Sequence, residues 1–471
     1  MIQNWPLVAS SRMSPRLAGW LAWVLIGLTG CGSLPTIVPD LARRPGPALQ
    51  LQGARGPLTA EQSKAILAGL RARGQATDIF DRHLALEEAI VGSPLTTGNK
   101  VQLLQDGPAT YDAMLTAIQA AQDHINIETY ILDDDAVGQR FAQELIAKQQ
   151  QGVQVNLIRD SLGTFSTPST FFQRLSDSGI KVLEFNPVNP LLARKVWELN
   201  ERDHRKLMIV DGHTAVLGGV NISSVHSGGS SIQSSRGGVE SSLVWRDTDL
   251  LLQGPVVTEL QKIFLANWAA QKGEPLAPRN YFPPPVNAGR QVVRAIASSP
   301  DEPFSLIYAT LLSAISNAET SVHLTNAYFV PDPQLLAALE AAAARGVRVT
   351  LILPSKTDSW LVFHAGRGYY HRLLSAGVKI YERRGVILHS KTALVDGVWA
   401  TVGSTNLDWR SFLHNHELDA VVLGVEFGSQ LQAMFDKDLA ASDAILLEQW
   451  ERRPLDLRLK EVFARIWEHW L

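Results

Sequence analysis

His204 and Lys206 stand two residues apart, and so do His389 and Lys391. On an extended strand, residues i and i+2 point to the same face, so each pair presents one imidazole beside one ammonium. Both pairs belong to a longer pattern, His-x-Lys-x4-Asp-x6-Gly-(Gly/Ser)-x-Asn. The first copy runs through Asp211, Gly218, Gly219 and Asn221, the second through Asp396, Gly403, Ser404 and Asn406. Two imidazoles and two cations suit a phosphodiester, an anion that resists attack until fixed donors surround its oxygens. A neutral imidazole can attack phosphorus while an imidazolium protonates the departing alkoxide, which splits one hard displacement into two easier ones. Lys206, Lys391, Asn221 and Asn406 are the donors suited to the phosphoryl oxygens. A single histidine on a strand is ordinarily a packed core residue; two copies in equivalent places reverse that reading.

The remaining acids of the motif have a structural reading. Asp211-Gly212 and Asp396-Gly397 each separate two apolar runs, which predicts a hairpin turn, so these aspartates fix turns rather than touch substrate. Asp133-Asp134-Asp135 precedes a helical pattern and reads as capping and dipole compensation, not as a metal cluster. His414-Asn415-His416 has no further metal-ligand partners in the sequence. No metal and no cofactor are implied, because two lysines and a histidinium already supply the cationic field.

The elements that must position these groups come in duplicate. Residues 123–130 (DHINIETY) align with 320–328 (TSVHLTNAY), each reading as a strand after an apolar-periodic helix. Helices then end at Gly152 and Gly346, followed by strands VQVNLI and VRVTLI, and further helices end at Gly179 and Gly377. This alternation predicts two related α/β lobes, each a mixed sheet flanked by helices. The Pro cluster near residues 277–287 (APRNYFPPPVN) marks the junction. Between Asn221 and Trp245 lies a Gly/Ser-rich insertion without a counterpart in the second half, read as a surface loop that is either a lid or inert.

A chain of 471 residues, 45% hydrophobic and 19% charged, can bury a large core and is not a disordered polymer. Its formal net charge of -3 lacks the basic excess of nucleic-acid binders, which argues against a nuclease. Cys31 is the only cysteine, so no intrachain disulfide forms. Arg12 and Arg16 precede the apolar run 17–28, which is short for a membrane span and suits a signal peptide. Leu28-Thr29-Gly30-Cys31 resembles the bacterial lipoprotein processing site, which predicts a lipidated Cys31, the other reading being an uncleaved anchor with a chance cysteine. Gly32 stands where an inner-membrane retention Asp would be, favouring the outer membrane where there are two. Residues 32 to about 60 read as a Pro/Gly/Arg-rich linker, and a helix is predicted over Glu61–Arg73.

The double motif resembles that of the phospholipase D superfamily, over roughly residues 100–440. Within it, Arg202–Lys206, Gly218–Ile222, the run 245–255 (WRDTDLLLQGP), Asn406–Ser411 and Asn415–Leu418 are similar to bacterial cardiolipin synthases. The resemblance implies an active site at a pseudo-two-fold interface, His204 as nucleophile and His389 as acid, although the sequence alone allows the roles to be exchanged. It also places the histidines' orienting acids at Asp247 and Glu417, with Asp249 and Asp419 as the next aligned pair. The reaction implied is transfer of a phosphatidyl group to make cardiolipin, with hydrolysis to phosphatidic acid, and then nuclease action, as alternatives. The substrate would be a phospholipid met at the envelope's membrane surface. The expected organisation is a signal peptide over 1–30, linker and N-terminal helix over 31–95, lobes over 96–285 and 286–445, and an amphipathic tail over 446–471. That tail is expected to be a helix packed on the body, with membrane contact as the other reading. The usual N-terminal transmembrane helices of such enzymes are replaced here by the processed signal.

Overall fold

The computed structural model describes residues 49–73, 79, 82–188, 200–228 and 244–470. The predicted signal peptide, Cys31 and most of the Gly/Ser insertion lie outside the described residues.

A short hairpin of β1 (Gln52–Gly53) and β2 (Gly56–Pro57) leads into α1 (Ala60–Arg73) and α2 (Arg82–Ile90). Lobe 1 contains β3 (Thr96–Gln105), α3 (Asp106–Ala120), β4 (His124–Thr129), α4 (Ala136–Gln150), β5 (Gln154–Asp160), α5 (Ser169–Asp177) and β6 (Lys181–Phe185). It continues through β7 (Arg202–Asp203), β8 (Leu207–Val210), β9 (Thr214–Gly218), β10 (Trp245–Arg246), β11 (Thr248–Gln253) and α6 (Val256–Ala270). Lobe 2 repeats the plan with β12 (Gln291–Ser298), α7 (Leu306–Ser316), β13 (Ser321–Asn326), α8 (Pro333–Ala344), β14 (Arg348–Pro354), α9 (Trp360–Arg367), α10 (Tyr370–Ser375) and β15 (Lys379–Arg383). There follow β16 (Ile387–Leu388), β17 (Lys391–Val395), β18 (Trp399–Gly403), α11 (Trp409–Leu413), β19 (Asn415–Leu423), α12 (Val425–Ala440) and β20 (Ser442–Ile445). The tail forms α13 (Leu447–Glu451) and α14 (Leu455–Arg465).

Strand pairing makes the duplication explicit. Lobe 1 runs β3-β11-β9-β8-β4-β5-β6 and lobe 2 runs β12-β19-β18-β17-β13-β14-β15, with β20 added at the far edge. The equivalent edges β3 and β12 pair antiparallel, so the two mixed sheets meet about a pseudo-two-fold axis. One apolar core crosses this seam, joining Leu217, Leu250 and Phe264 to Val293, Val402 and Phe427. Each fully buried phenylalanine there stabilises the fold by roughly 1.5–3 kcal/mol. Nothing regular forms between α6 and β12, as the Pro cluster predicts.

Local chemistry explains the helix ends. Thr59 Oγ1 accepts from Gln62 N–H (3.2 Å) while Gln62 Oε1 accepts from Thr59 N–H (2.9 Å), a reciprocal cap that starts α1 one residue before the predicted Glu61. Asp135 caps α4 by accepting from the Val137 and Gly138 amides, as expected of the acidic run. The linker reading does not survive beyond residue 48. The β1–β2 hairpin is paired, and α2 is built into lobe 2: His83 Nδ1 lies 2.9 Å from Ser313 Oγ, and Glu87 pairs with Arg294 (3.2 Å). The Pro/Gly content signalled a turn, which here belongs to a hairpin. Among the described residues, no helix is long and apolar enough to cross a membrane.

Candidate active site at the lobe seam

Both motif turns are hairpins with two residues in the left-handed region. Asp211 and Gly212 have φ of 51° and 65°, and Asp396 and Gly397 have 51° and 67°. The Asp211 carboxylate accepts from the amides of Gln122, Asp123 and His124, and Asp396 accepts from those of Glu319, Thr320 and Ser321. Each thereby pins the start of its lobe's β4 or β13 strand to the motif hairpin, the structural role the sequence predicts. The same anchoring matches 124–129 with 321–326. Tyr130 is then equivalent to Ala327, and Tyr328 lies one position further on, which corrects the end of the sequence alignment.

Two short parallel pairings cross the seam. β7 pairs with the start of β19 (Asp203↔His416), and β10 pairs with β16 (Arg246↔Leu388). The strand leading into each motif histidine therefore lies beside the acid-bearing strand of the opposite lobe. His204 Nδ1 is 3.1 Å from both carboxylate oxygens of Glu417, and His389 Nδ1 is 2.6 Å from Asp247 Oδ2. The carboxylates hold Nδ1–H and leave Nε2 of each ring as the reactive nitrogen.

Lys206 Nζ donates to the His204 carbonyl at 2.5 Å, and Lys391 Nζ donates to the His389 carbonyl. All four side chains are buried, and so are Asp247 and Glu417. Burial, reinforced by Lys206 and Lys391, holds the His204 imidazole well below the usual histidine range, and His389 is depressed by the same causes. Burial also pushes Lys206 down to about 7 and raises the Glu417 and Asp247 carboxyls. Burial disfavours charge of either sign here, and an arriving phosphodiester would favour the charged forms of the lysines and of one imidazole.

The motif's small residues are required by close approach. A Cβ on Gly219 would meet Asp247 Oδ1 at 2.1 Å, and one on Gly403 would meet Asp419 Oδ1 at 2.0 Å. Asp249 and Asp419 hold the turns themselves, accepting from the amides of Val220 and Ser404. Asn221 Oδ1 accepts from Ile131 N–H (3.2 Å), whereas Asn406 Oδ1 has no hydrogen-bond partner among the described residues. The oxygen of Asn221 is thus a strand clamp, and only its amide nitrogen remains suited to the donor role expected from sequence.

Several site residues escaped the sequence reading. Arg205 reaches across the seam to the carbonyls of Glu417 (3.2 Å) and Ser298 (3.3 Å), and Arg246 reaches Asp438 (2.8 Å). His226, in the described start of the Gly/Ser insertion expected at the surface, is instead fully buried with Nδ1 3.7 Å from Asp247 Oδ2 and its ring 5.7 Å from that of His389. No motif flagged it. His226, Asp247 and His389 offer ligand atoms within 4.8 Å of one another, but a divalent ion held there would have to break the Asp247–His389 bond.

A duplicated α/β fold whose halves each lend an imidazole, an ammonium and the other half's carboxylate defines a phospholipase D-like protein. The family described as "Cardiolipin synthase, PLD-like domain" matches residues 114–268 and 311–439. A cardiolipin synthase of Geobacillus kaustophilus (strain HTA426) is 34% identical over 386 residues, covering 81% of this chain and 74% of that one. Cardiolipin synthase 2 of Bacillus anthracis is 35% identical over 78% of this chain and 70% of its own length. The crystal structure of a phosphatidylserine synthase from Haemophilus influenzae Rd KW20 shares the fold, with a TM-score of 0.59 at 14% identity, over 82% of this chain and 98% of that one. The chain belongs to the cardiolipin synthase, PLD-like family.

Proposed function

We propose that the protein is a phosphatidyltransferase that joins two molecules of phosphatidylglycerol into cardiolipin. The observation that carries this reading is the crossed pair of buried imidazole–carboxylate contacts flanked by two lysines, in a chain of this family. Nε2 of His204 attacks phosphorus, the bond from phosphorus to the glycerol oxygen breaks, and His389 gives that oxygen its proton. A hydroxyl of the second phosphatidylglycerol then attacks the phosphohistidine, the P–N bond breaks, and neutral His389 takes the hydroxyl proton. The sum is two phosphatidylglycerols in, one cardiolipin and one glycerol out, with no metal or cofactor in the balance. Lys206, Lys391 and the amide nitrogens of Asn221 and Asn406 neutralise the phosphoryl oxygens.

The test is the product formed from labelled phosphatidylglycerol in mixed micelles, beside His204→Ala and His389→Ala. Cardiolipin and glycerol made by the wild type and lost in both variants support the transferase. Phosphatidic acid as the sole product would replace it with a hydrolase. We also propose that Cys31 is lipidated and holds the enzyme on the envelope's membrane surface, on the outer membrane where there are two. Arg12, Arg16, the apolar run and the Leu-Thr-Gly-Cys site support this. Metabolic labelling with palmitate that persists in Cys31→Ser would refute it.

A further inference from the structure

We infer that the outer face of α14, together with the two loops beside the reactive histidines, is a docking surface for a phospholipid bilayer; this rests on the phosphatidyltransferase reading. Leu455, Leu459, Val462, Phe463, Ile466 and Trp470 are all exposed, Leu459 at 70% and Ile466 at 65%. At 100° per residue the four within α14, Leu455, Leu459, Val462 and Phe463, fall within an arc about 100° wide, and Ile466, Trp467 and Trp470 follow in the turn and short 3₁₀ segment just beyond it. Glu461 and Ala464, on the opposite side, are the buried residues of the helix. On that inner side Glu461 pairs with Arg453 of the preceding turn at 2.6 Å, and the end of the helix is held to lobe 2 by Arg465 over the Tyr369 ring and, just past it, by Glu468 accepting from Tyr369 Oη at 2.6 Å. A fixed helix with its apolar stripe turned outward has the form of an interfacial helix rather than of a core helix.

The stripe is continuous with the site. Phe463 lies 6.4 Å from Trp360, which is also exposed and begins α9. Two residues before it, Asp358 accepts from Tyr328 Oη (2.7 Å), and the Tyr328 ring is 6.4 Å from that of His389. Lobe 1 repeats the arrangement after the equivalent strand β5. There the loop carrying exposed Leu162 and Phe165 is seated by Gly163 against Tyr130, whose ring is 5.2 Å from His204. Each reactive histidine thus has, one aromatic residue away, a connection that carries or leads to exposed apolar side chains: Leu162 and Phe165 in lobe 1, and Trp360 at the start of α9 in lobe 2. A substrate whose acyl chains stay in the bilayer needs that arrangement on both sides of the site. A second copy of the chain would cover the approach. The five cations and five anions between Leu447 and Trp470 balance, so insertion is apolar rather than charge-driven and resists salt.

The test uses the full chain carrying Cys31→Ser and one new cysteine, Leu459→Cys, Ile466→Cys or Arg452→Cys, labelled with an environment-sensitive fluorophore. Vesicles of phosphatidylglycerol and phosphatidylethanolamine carry a quencher in the acyl region. Quenching at 459 and 466 but not at 452, unchanged in 0.5 M salt, is expected. Leu459→Gln/Ile466→Gln should lower kcat/KM on vesicles by roughly tenfold and leave turnover in mixed micelles within about twofold. Turnover on vesicles without quenching at 459 or 466 would overturn the inference. So would a label that becomes shielded with rising protein concentration and no lipid, which indicates a second copy. Quenching without any cardiolipin would instead sink the transferase reading and leave the docking surface standing.

Discussion

The two half-sites share a backbone and differ in how each carboxylate is held. Glu417, which serves His204, also accepts from Ser404 Oγ (2.5 Å) and Asn415 Nδ2 (3.1 Å). Asp247, which serves His389, accepts from Thr248 N–H (2.9 Å) and has His226 at 3.7 Å. Where lobe 2 has Ser404, lobe 1 has Gly219, and a side chain there would collide with Asp247. The rings are also dressed differently: Trp245 lies 4.7 Å from His389, while Tyr130 stands edge-on to His204 at 5.2 Å. Duplication set the places, and substitution around them left one imidazole braced by a richly bonded glutamate and the other by an aspartate, with Trp245 beside its ring; in the reaction proposed above the first is the nucleophile and the second the acid.

The strongest way to break this division is to remove each ring in turn. His204→Ala and His389→Ala should each lower kcat by ~10⁴-fold or more. With a substrate bearing a good leaving group, His389→Ala should accumulate an acid-labile phosphoenzyme and His204→Ala none; the reverse would exchange the roles. The crossing itself is tested by Glu417→Gln and Asp247→Asn, each expected to cost about 10²- to 10⁴-fold in kcat by misorienting the imidazole of the other lobe. An amide that left the rate unchanged in either would remove that half of the comparison.

Removing Asp438 leaves Arg246 buried with less of its negative partner. Asp438→Asn should cost about 3–5 kcal/mol in thermal or urea unfolding, because Arg246 is left with Asp106 and Arg383 loses the same carboxylate. The hairpin aspartates should differ less: Asp211→Asn and Asp396→Asn keep the left-handed turn and lose about 1–2 kcal/mol each. Asp396 should cost more, since it also accepts from Thr320 Oγ1. The smallest effect is on pH dependence. Because Lys206 is pushed down to about 7 and acts as an ammonium, kcat/KM of the free enzyme should fall as pH rises through about 7. Because burial lowers both imidazoles, it should not fall through the ordinary histidine range near 6.5 as pH drops.

Spacing made the motif, the repeat and the turns readable, because period and punctuation are local properties of a chain. Asp211 and Asp396 announced their hairpins through Asp-Gly alone. That Glu417 belongs to His204 and Asp247 to His389 was not readable. Those partners are 213 and 142 residues apart, and only the seam between lobes decides which acid meets which ring. His226 stayed hidden for a related reason: a lone histidine beside a Gly/Ser run carries no periodic signal, and its burial comes from packing under Trp245 at 4.9 Å. The helix over 82–90 lies past the stretch read as linker and received no reading of its own, because its partners Ser313, Arg294 and Trp399 come from the distant half.

The pairing of strands across the seam bears on ancestry. One lobe alone would own a histidine without its carboxylate and a carboxylate without its histidine. Two copies of that lobe, placed as the two lobes are here, would supply each other's lack. The joined chain has the form of a pair of identical subunits that became one gene product, after which each half was free to diverge.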